Sequence, residues 1–339
     1  MLVTSMNIET DKAGRSNVAP PTDLPVFALT APALGHWRNG NTGVEGVWSF
    51  EASEPGPNVL ITALIHGNEL CGAWGVLDVL QAGLRPRRGT LTLAFCNLQA
   101  FDRFDADHPY DSRFVDEDLN RVWGEGLAQR SSTCEQRRAL ELLPFVEKAD
   151  WLLDLHSMQD GPALMLTGLQ ARNIALAKRL GTPEYVIVDA GHGEGRRMRD
   201  HGRFGDAEAR ALALLLECGQ HGQLVSRDVA FDGVGRFLVE SGCSTQDDIP
   251  PTWLRPAAAS QRVFEVTDAI AAAGTNVRFA EAWRTGQTIG KRGTVLGWND
   301  EVPFHTPYPN CTLVMPSLRQ LRAGVTVVRL ARETTGKGD

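Results

Sequence analysis

Val59-Leu60-Ile61-Thr62-Ala63-Leu64-Ile65-His66-Gly67-Asn68-Glu69 is the stretch on which the reading of this chain turns. The β-branched, almost unbroken apolar run suits a strand buried on both faces, as in a parallel or mixed sheet covered by helices. The run stops at a histidine, and a carboxylate follows three residues later. Downstream, Glu69 to Gln81 reads as a helix and Gly89 to Cys96 as a second strand, which together make a crossover unit. Upstream, Glu54-Pro55-Gly56-Pro57 reads as a turn.

The alternation continues. Thr133 to Lys148 has helical spacing, with Ser132 or Thr133 as cap and Leu140, Leu143, Phe145 and Val146 as its buried stripe. Strands are expected at Trp151 to His156, Leu164 to Thr167 and Tyr185 to Val188, with a helix over Ala171 to Leu180. Ala211 to Glu217 is read as a strand because it ends on a charged residue followed by Cys218-Gly219. Ser226 to Val239 is read as the next helix. Between these elements, Asp102 to Trp123 is a long irregular segment rich in Asp, Arg, Phe and Pro, of the kind that carries function when a rigid sheet positions it.

Beyond Pro250-Pro251 the texture changes to short apolar runs punctuated by glycine and proline. This gives three expected regions: an irregular lead-in over residues 1–25, an α/β domain over 26–255 and a small β-rich domain over 256–339. No fixed-period repeat is present.

His66 and Glu69 leave a buried strand for the next helix, so both converge on the carboxyl edge of the sheet, where open α/β sheets place their sites. Imidazole plus carboxylate suits Zn²⁺, which in catalytic sites takes three protein ligands and keeps a position open. A third ligand is needed, and His156, which ends its strand as His66 does, is the best candidate. Asp154, two residues earlier on the same strand face, reads either as a partner for a ligand histidine's other nitrogen or as an ordinary polar residue. An isolated H-x-x-E arises often by chance, and neither H-E-x-x-H nor H-x-x-E-H is present.

Further motifs raise the specificity. Arg113 precedes Asp118-Leu119-Asn120-Arg121, and Glu217-Cys218-Gly219 follows much later. In this order and spacing, H-G-N-E, D-L-N-R, D-L-H and E-x-G resemble the succinylglutamate desuccinylase and aspartoacylase family, a branch of the zinc carboxypeptidase fold. The likeness runs from about Val59 to Gly219, and Thr306 to Ser317 is similar to the family's small C-terminal β domain.

The resemblance implies a zinc carboxypeptidase-like mixed sheet flanked by helices, with a smaller C-terminal β-rich domain. It implies one Zn²⁺ per chain on His66, Glu69 and His156, and Glu217 as general base and then acid for a metal-activated water. It also implies that Arg113 polarises the scissile carbonyl, and that Asn120 and Arg121 grip a substrate carboxylate. The implied reaction is removal of a succinyl or acetyl group from a small N-acyl amino acid. Family members use one more arginine upstream of the catalytic glutamate, and no residue here aligns with it without a gap. Arg203 and Arg210 are the candidates, with surface salt bridging as their alternative. Tyr308 is a candidate contact from the β domain.

Three rival readings stay open: an N-acetyl-diamino-acid deacetylase, a zinc carboxypeptidase and a non-catalytic metal-binding module. Composition excludes other classes. With 34 Lys and Arg against 41 Asp and Glu, the net charge of -7 gives no basic field for nucleic acid or an anionic membrane. The arginine clusters Arg85, Arg87, Arg88 and Arg196, Arg197, Arg199, Arg203 suit small carboxylates or are simply solvated. The six cysteines form no C-x-x-C pair and are read as reduced. With no signal peptide and no apolar run long enough to span a bilayer, a cytoplasmic protein is expected. A homo-oligomer is left open. Gly191-His192-Gly193-Glu194-Gly195 lacks the lysine of a phosphate loop and reads as a rim loop. His221 reads as a polar residue near the site, and Cys218, alternating with Glu217, as core.

Overall fold

The computed structural model describes residues 27–191 and 193–334; the lead-in expected over residues 1–25, and His192 of the rim loop, lie outside them. Two compact units are resolved. The larger runs to Val266 and takes in Glu333 and Thr334, and the smaller is Thr267–Arg332.

In the larger unit the strands are β1 (Val47–Glu51), β2 (Glu54–Ala63), β3 (Arg88–Phe95), β4 (Trp151–Met158), β5 (Leu164–Thr167), β6 (Tyr185–Val188) and β7 (Leu212–Gln220). β8 (Arg262–Ala271) begins there. The order is β1-β3-β2-β4-β7-β5-β6-β8. β2, β3, β4 and β7 run parallel, β1 pairs antiparallel to β3 and β5 antiparallel to β7, while β5, β6 and β8 run parallel to one another, and the sheet is therefore mixed. The helices are α1 (Leu70–Gln81), the short α2 (Leu98–Phe101), α3 (Cys134–Lys148), α4 (Ala171–Leu180) and α5 (Leu224–Glu240).

Strand alternation divides the core in two. Val59, Ile61, Ala63, Leu153, Leu155, Leu214 and Leu216 face one cluster, which α1, α4 and α5 cover. Leu60, Leu152 and Ala213 face the other, which α3 closes through Ala139, Leu142 and Val146. The stripe of α3 is thus shifted from its expected residues: Leu140, Leu143 and Phe145 are only partly buried. Gly72 lets α1 lie close on β4, since a Cβ there would come within 2.8 Å of the Leu155 Cβ. The run read over Ala211 to Glu217 does form a strand, from Leu212, and it continues to Gln220.

β8 also shifts a boundary. Its residues Arg262 to Glu265 pair in parallel with Tyr185 to Val188 of β6, so the larger unit continues past the break read at Pro250-Pro251. The smaller unit contains β9 (Val277–Phe279), β10 (Thr288–Ile289), β11 (Val295–Asn299), β12 (Val302–His305), β13 (Cys311–Val314) and β14 (Thr326–Glu333, as far as Arg332). β10, β13 and β14 pair antiparallel, and β12-β11-β9 form a separate antiparallel sheet around Leu296, Phe304, Leu313 and Leu330. All six cysteines are free thiols, and among the described residues no helix is long and apolar enough to cross a membrane.

The two-sided burial of the central strands makes a stability prediction. Leu153→Ala removes a fully buried side chain from β4 and is expected to cost about 2–5 kcal/mol, read as a lower urea midpoint with unchanged slope. A midpoint like that of the parent would contradict the close packing of this face.

Candidate metal centre and active site

β2 stops at Ala63, short of the expected His66, because Leu64 takes φ 58° and turns the chain. A leucine in the left-handed region is unusual, and here it delivers His66 above the sheet edge. Gly67 then passes so close to α2 and the irregular segment that a Cβ would lie 2.4 Å from both Ala100 C and Ser112 O. Its N–H donates to Arg113 O at 3.1 Å. Glu69 caps α1 without bonding to it, since its carboxylate turns toward the histidines.

His66 Nδ1 lies 2.8 Å from Glu69 Oε1, and His156 Nδ1 lies 2.8 Å from Glu69 Oε2. The ligand atoms of His66, Glu69 and His156 all fall within 4.8 Å of one another, and all three residues are buried. The opposite ring nitrogens face other carboxylates: His66 Nε2 is 3.0 Å from Asp118 Oδ1, and His156 Nε2 is 2.8 Å from Asp154 Oδ2. Asp154 is fixed in turn by Thr62 Oγ1 at 2.6 Å. A carboxylate only accepts, so each Nε2 carries the proton and each Nδ1 is left for a shared proton or a cation. Burial alone would raise Glu69, but His66 and His156 hold it well below the usual carboxylate range. Burial alone would lower His156, yet Asp154 and Glu69 hold it well above the usual imidazole value. Two imidazoles and a carboxylate, each backed by a further polar group, fit a divalent cation of the zinc type.

The irregular segment closes over this cluster. Arg113 Nη1 donates to Glu69 Oε1 at 3.3 Å and Nη2 to Asp118 Oδ2 at 3.2 Å. Its Nη2 also lies 2.9 Å from His66 Nε2, a contact of two donors once that nitrogen is protonated toward Asp118. Burial would raise Asp118, but His66, Arg113 and Arg121 hold it well below the usual range. Asn120 Oδ1 accepts Met198 N at 3.0 Å. Its Nδ2 is 3.4 Å from His156 Nε2, again donor against donor, so this amide hydrogen is not committed there.

Glu217 is paired in register with His156 across β4 and β7 and is 6% exposed. Its Oε2 is buried without a hydrogen-bond partner. Burial, and then the charge of Glu69, push its carboxyl up to about 8. Cys218 points into the opposite core. His221 pairs with Ser157 Oγ at 2.8 Å, and burial pulls it down to about 4.

In the sequence Arg197 is one member of the cluster Arg196, Arg197, Arg199 and Arg203. It is 3% exposed and electrostatically coupled to both Glu217 and Arg121. Asp189, just beyond β6, accepts its Nη2 at 2.6 Å and the Gly191 N–H at 3.0 Å, while Arg197 Nη1 stays buried without a partner. The signal that could have found it is the arginine-rich stretch between two strand ends. Arg203 and Arg210 are not brought to this site. Arg203 donates to Glu147 O and Ala149 O at the start of β4, and Arg210 is exposed before β7 begins, both at the amino edge of the sheet. Tyr308 belongs to the smaller unit, where its hydroxyl lies 2.6 Å from Thr267 Oγ1.

The mixed sheet flanked by helices, with a buried His-Glu-His group at its carboxyl edge that could hold a metal ion, defines an α/β protein with a candidate metal centre. The chain belongs to the succinylglutamate desuccinylase/aspartoacylase family: the family described as "Succinylglutamate desuccinylase/Aspartoacylase catalytic domain" matches residues 55–239. A succinylglutamate desuccinylase of Burkholderia lata is 27% identical over 300 residues, 82% of this chain and 80% of that protein. The crystal structure of a succinylglutamate desuccinylase from Vibrio cholerae matches with TM-score 0.63 at 18% identity, covering 85% of this chain and 86% of that one. A succinylglutamate desuccinylase/aspartoacylase from Rhodobacter sphaeroides matches with TM-score 0.60 at 20% identity over 85% and 88% of the two chains. Membership supports acyl-amino-acid deacylase activity, a hydrolysis acting on small N-acyl amino acids.

Two outcomes follow from the geometry. Asp154→Asn leaves His156 Nε2 without its carboxylate partner and is expected to weaken cation binding about 10–100-fold in chelator competition, with unchanged affinity counting against the pairing. Because Glu217 takes up a proton on folding, the metal-free fold loses stability as pH rises from the ordinary carboxylate range through about 8. Melting series between about pH 5 and about pH 8 should show a smaller loss for Glu217→Gln, and parallel curves would remove this burial effect.

Proposed function

We propose that the chain removes a succinyl or acetyl group from a small N-acyl amino acid. One Zn²⁺ would be held by His66, Glu69 and His156, with Glu217 as general base and acid. The observation that carries this reading is the buried, unpartnered Glu217 Oε2 level with His156 on the neighbouring strand. Zinc bound there supplies Lewis acidity, bringing the pKa of water toward ~7.

The chain's own residues do the rest. Glu217, raised by burial, has the basicity to take a proton from the attacking water at Oε2 and return it to the departing nitrogen. An amine leaves far more readily once protonated, so one carboxylate serves both halves of the reaction. Arg113 stays charged because Asp118 and Glu69 outweigh its burial. It is suited to meet the negative charge that grows on the carbonyl oxygen, a contribution of roughly 3–4 kcal/mol for one well-placed donor. Asn120 and Arg121 would hold the substrate carboxylate, Arg121 being kept in place by its bond to Asn120 O at 2.8 Å.

The free face of Arg197 favours a second carboxylate on the substrate. A guanidinium fixed at one edge by Asp189 presents its other edge to an anion. A basic distal group, as on an N-acetyl-diamino acid, would face Arg197 and Arg121 together. N-succinylglutamate or N-acetylaspartate therefore fits better than the diamino alternative.

The deciding experiment is amine release by zinc-loaded protein from N-succinylglutamate, N-acetylaspartate, N-acetyl-diaminobutyrate and a dipeptide. Turnover confined to the acidic substrates supports the reading, and turnover of the dipeptide alone overturns it. Glu217→Gln is expected to keep its zinc and lose about 10²–10⁴-fold in kcat, and unchanged turnover would remove Glu217 from the mechanism.

A further inference from the structure

Glu135 lies on the buried stripe of α3, in line with Ala139, Leu142 and Val146, and is 0% exposed. A carboxylate on a core stripe needs partners, and this one has four. Oε1 accepts Val115 N at 2.7 Å and Asn97 Nδ2 at 3.0 Å, while Oε2 accepts Asp116 N at 3.0 Å and Glu117 N at 3.2 Å. Three successive backbone N–H groups thus point at one side chain, as they would around a bound anion. The docking is reciprocal. Asp116 Oδ2 accepts Cys134 N at 2.7 Å, and Glu117 Oε1 accepts Thr133 Oγ1 at 2.6 Å and Gln136 Nε2 at 2.7 Å.

The segment so held lies between Arg113 and Asp118-Leu119-Asn120-Arg121. Residues 114–117 form neither strand nor helix, and only the short 3-10 turn Leu119–Arg121 follows them, so backbone ladders do little to fix the segment. We propose that Glu135 is a positioning residue for the proposed deacylation, setting the place of Arg113, Asp118, Asn120 and Arg121 through its grip on Val115, Asp116 and Glu117. The inference rests on the reading of those four residues as the groups that meet substrate and His66. A displacement of about 1 Å in such groups costs up to ~10²-fold in rate.

The test uses full-length zinc-loaded Glu135→Gln. The shape is kept, but an NH₂ replaces one oxygen and turns toward backbone N–H donors. The expected result is a kcat/KM about 10–100-fold lower, with KM raised as well as kcat lowered, and faster hydrogen exchange at residues 115–121. Leu142→Ala weakens the same helix without removing any of the hydrogen bonds that hold residues 115–117. Assayed well below its melting temperature, it should keep the parent's kcat, KM and exchange at 115–121. Glu135→Asp keeps both oxygens and should recover part of the loss; no recovery overturns the proposal.

Parent-like kinetics and exchange in Glu135→Gln overturn it too, as does an equal kinetic loss in Leu142→Ala. If Glu135→Gln does not fold, Glu135→Asp against Leu142→Ala decides by the same readouts. If the parent hydrolyses no N-acyl amino acid, the reaction reading fails by itself. Exchange at 115–121 then decides Glu135 alone, faster exchange supporting the grip and unchanged exchange overturning it.

Discussion

Everything at this site depends on one buried carboxylate shared by two imidazoles. Glu69 stands between His66 and His156, and a charge so far from water is tolerable because both rings, the Arg113 guanidinium and the Ser157 N–H face it. That sharing dictates the surroundings. Each ring's outer nitrogen needs an acceptor, and Asp118 and Asp154 supply them. Asp118 needs cations of its own, and Arg113 and Arg121 lie beside it. The histidine-carboxylate cluster and the arginines Arg113 and Arg121 are therefore one electrostatic assembly.

The assembly also explains where the fold departs from regular geometry. A plain continuation of β2 would carry His66 along the strand, whereas Leu64 in the left-handed region turns it inward. Gly67 admits the irregular segment at a distance no side chain allows. Glu69 gives up the ordinary task of capping α1 in order to face the histidines. These local costs fall within a few residues of one another, beside a strand whose buried pairing on both sides fixes its position.

Much of this is legible in the sequence, for physical reasons. Strands buried on both faces need long apolar runs, so β2 and β4 stand out from composition, whereas β7, whose Ala and Leu equally suit a helix, is read from the charged residue at which its run stops. Polar residues that end such runs, His66, His156 and Glu217, can only lie at the sheet edge. The arginines resist the same reading. Arg197 and Arg203 look alike in sequence, and what separates them is where a loop without periodicity returns to the sheet, one beside Asp189 and the other beside Asp150. Glu135 resists it differently. Its place on the buried stripe is visible only once the helix phase is known, and the expected stripe through Leu140 and Leu143 left it outside.

The site's charges also distinguish the two glutamates that face each other across it. Glu69 has two imidazoles within 2.8 Å and is held ionised, whereas Glu217 has an unpartnered oxygen and shares its surroundings with Glu69's charge. The same burial thus leaves one carboxylate ionised and pushes the other toward its protonated form, because the compensating groups lie on one side only. Charge on the shared cluster changes this balance directly. A cation on His66, Glu69 and His156 would offset Glu69's charge and lower the cost of ionising Glu217. Proton uptake at Glu217 and cation occupancy of the cluster are consequently linked, each opposing the other.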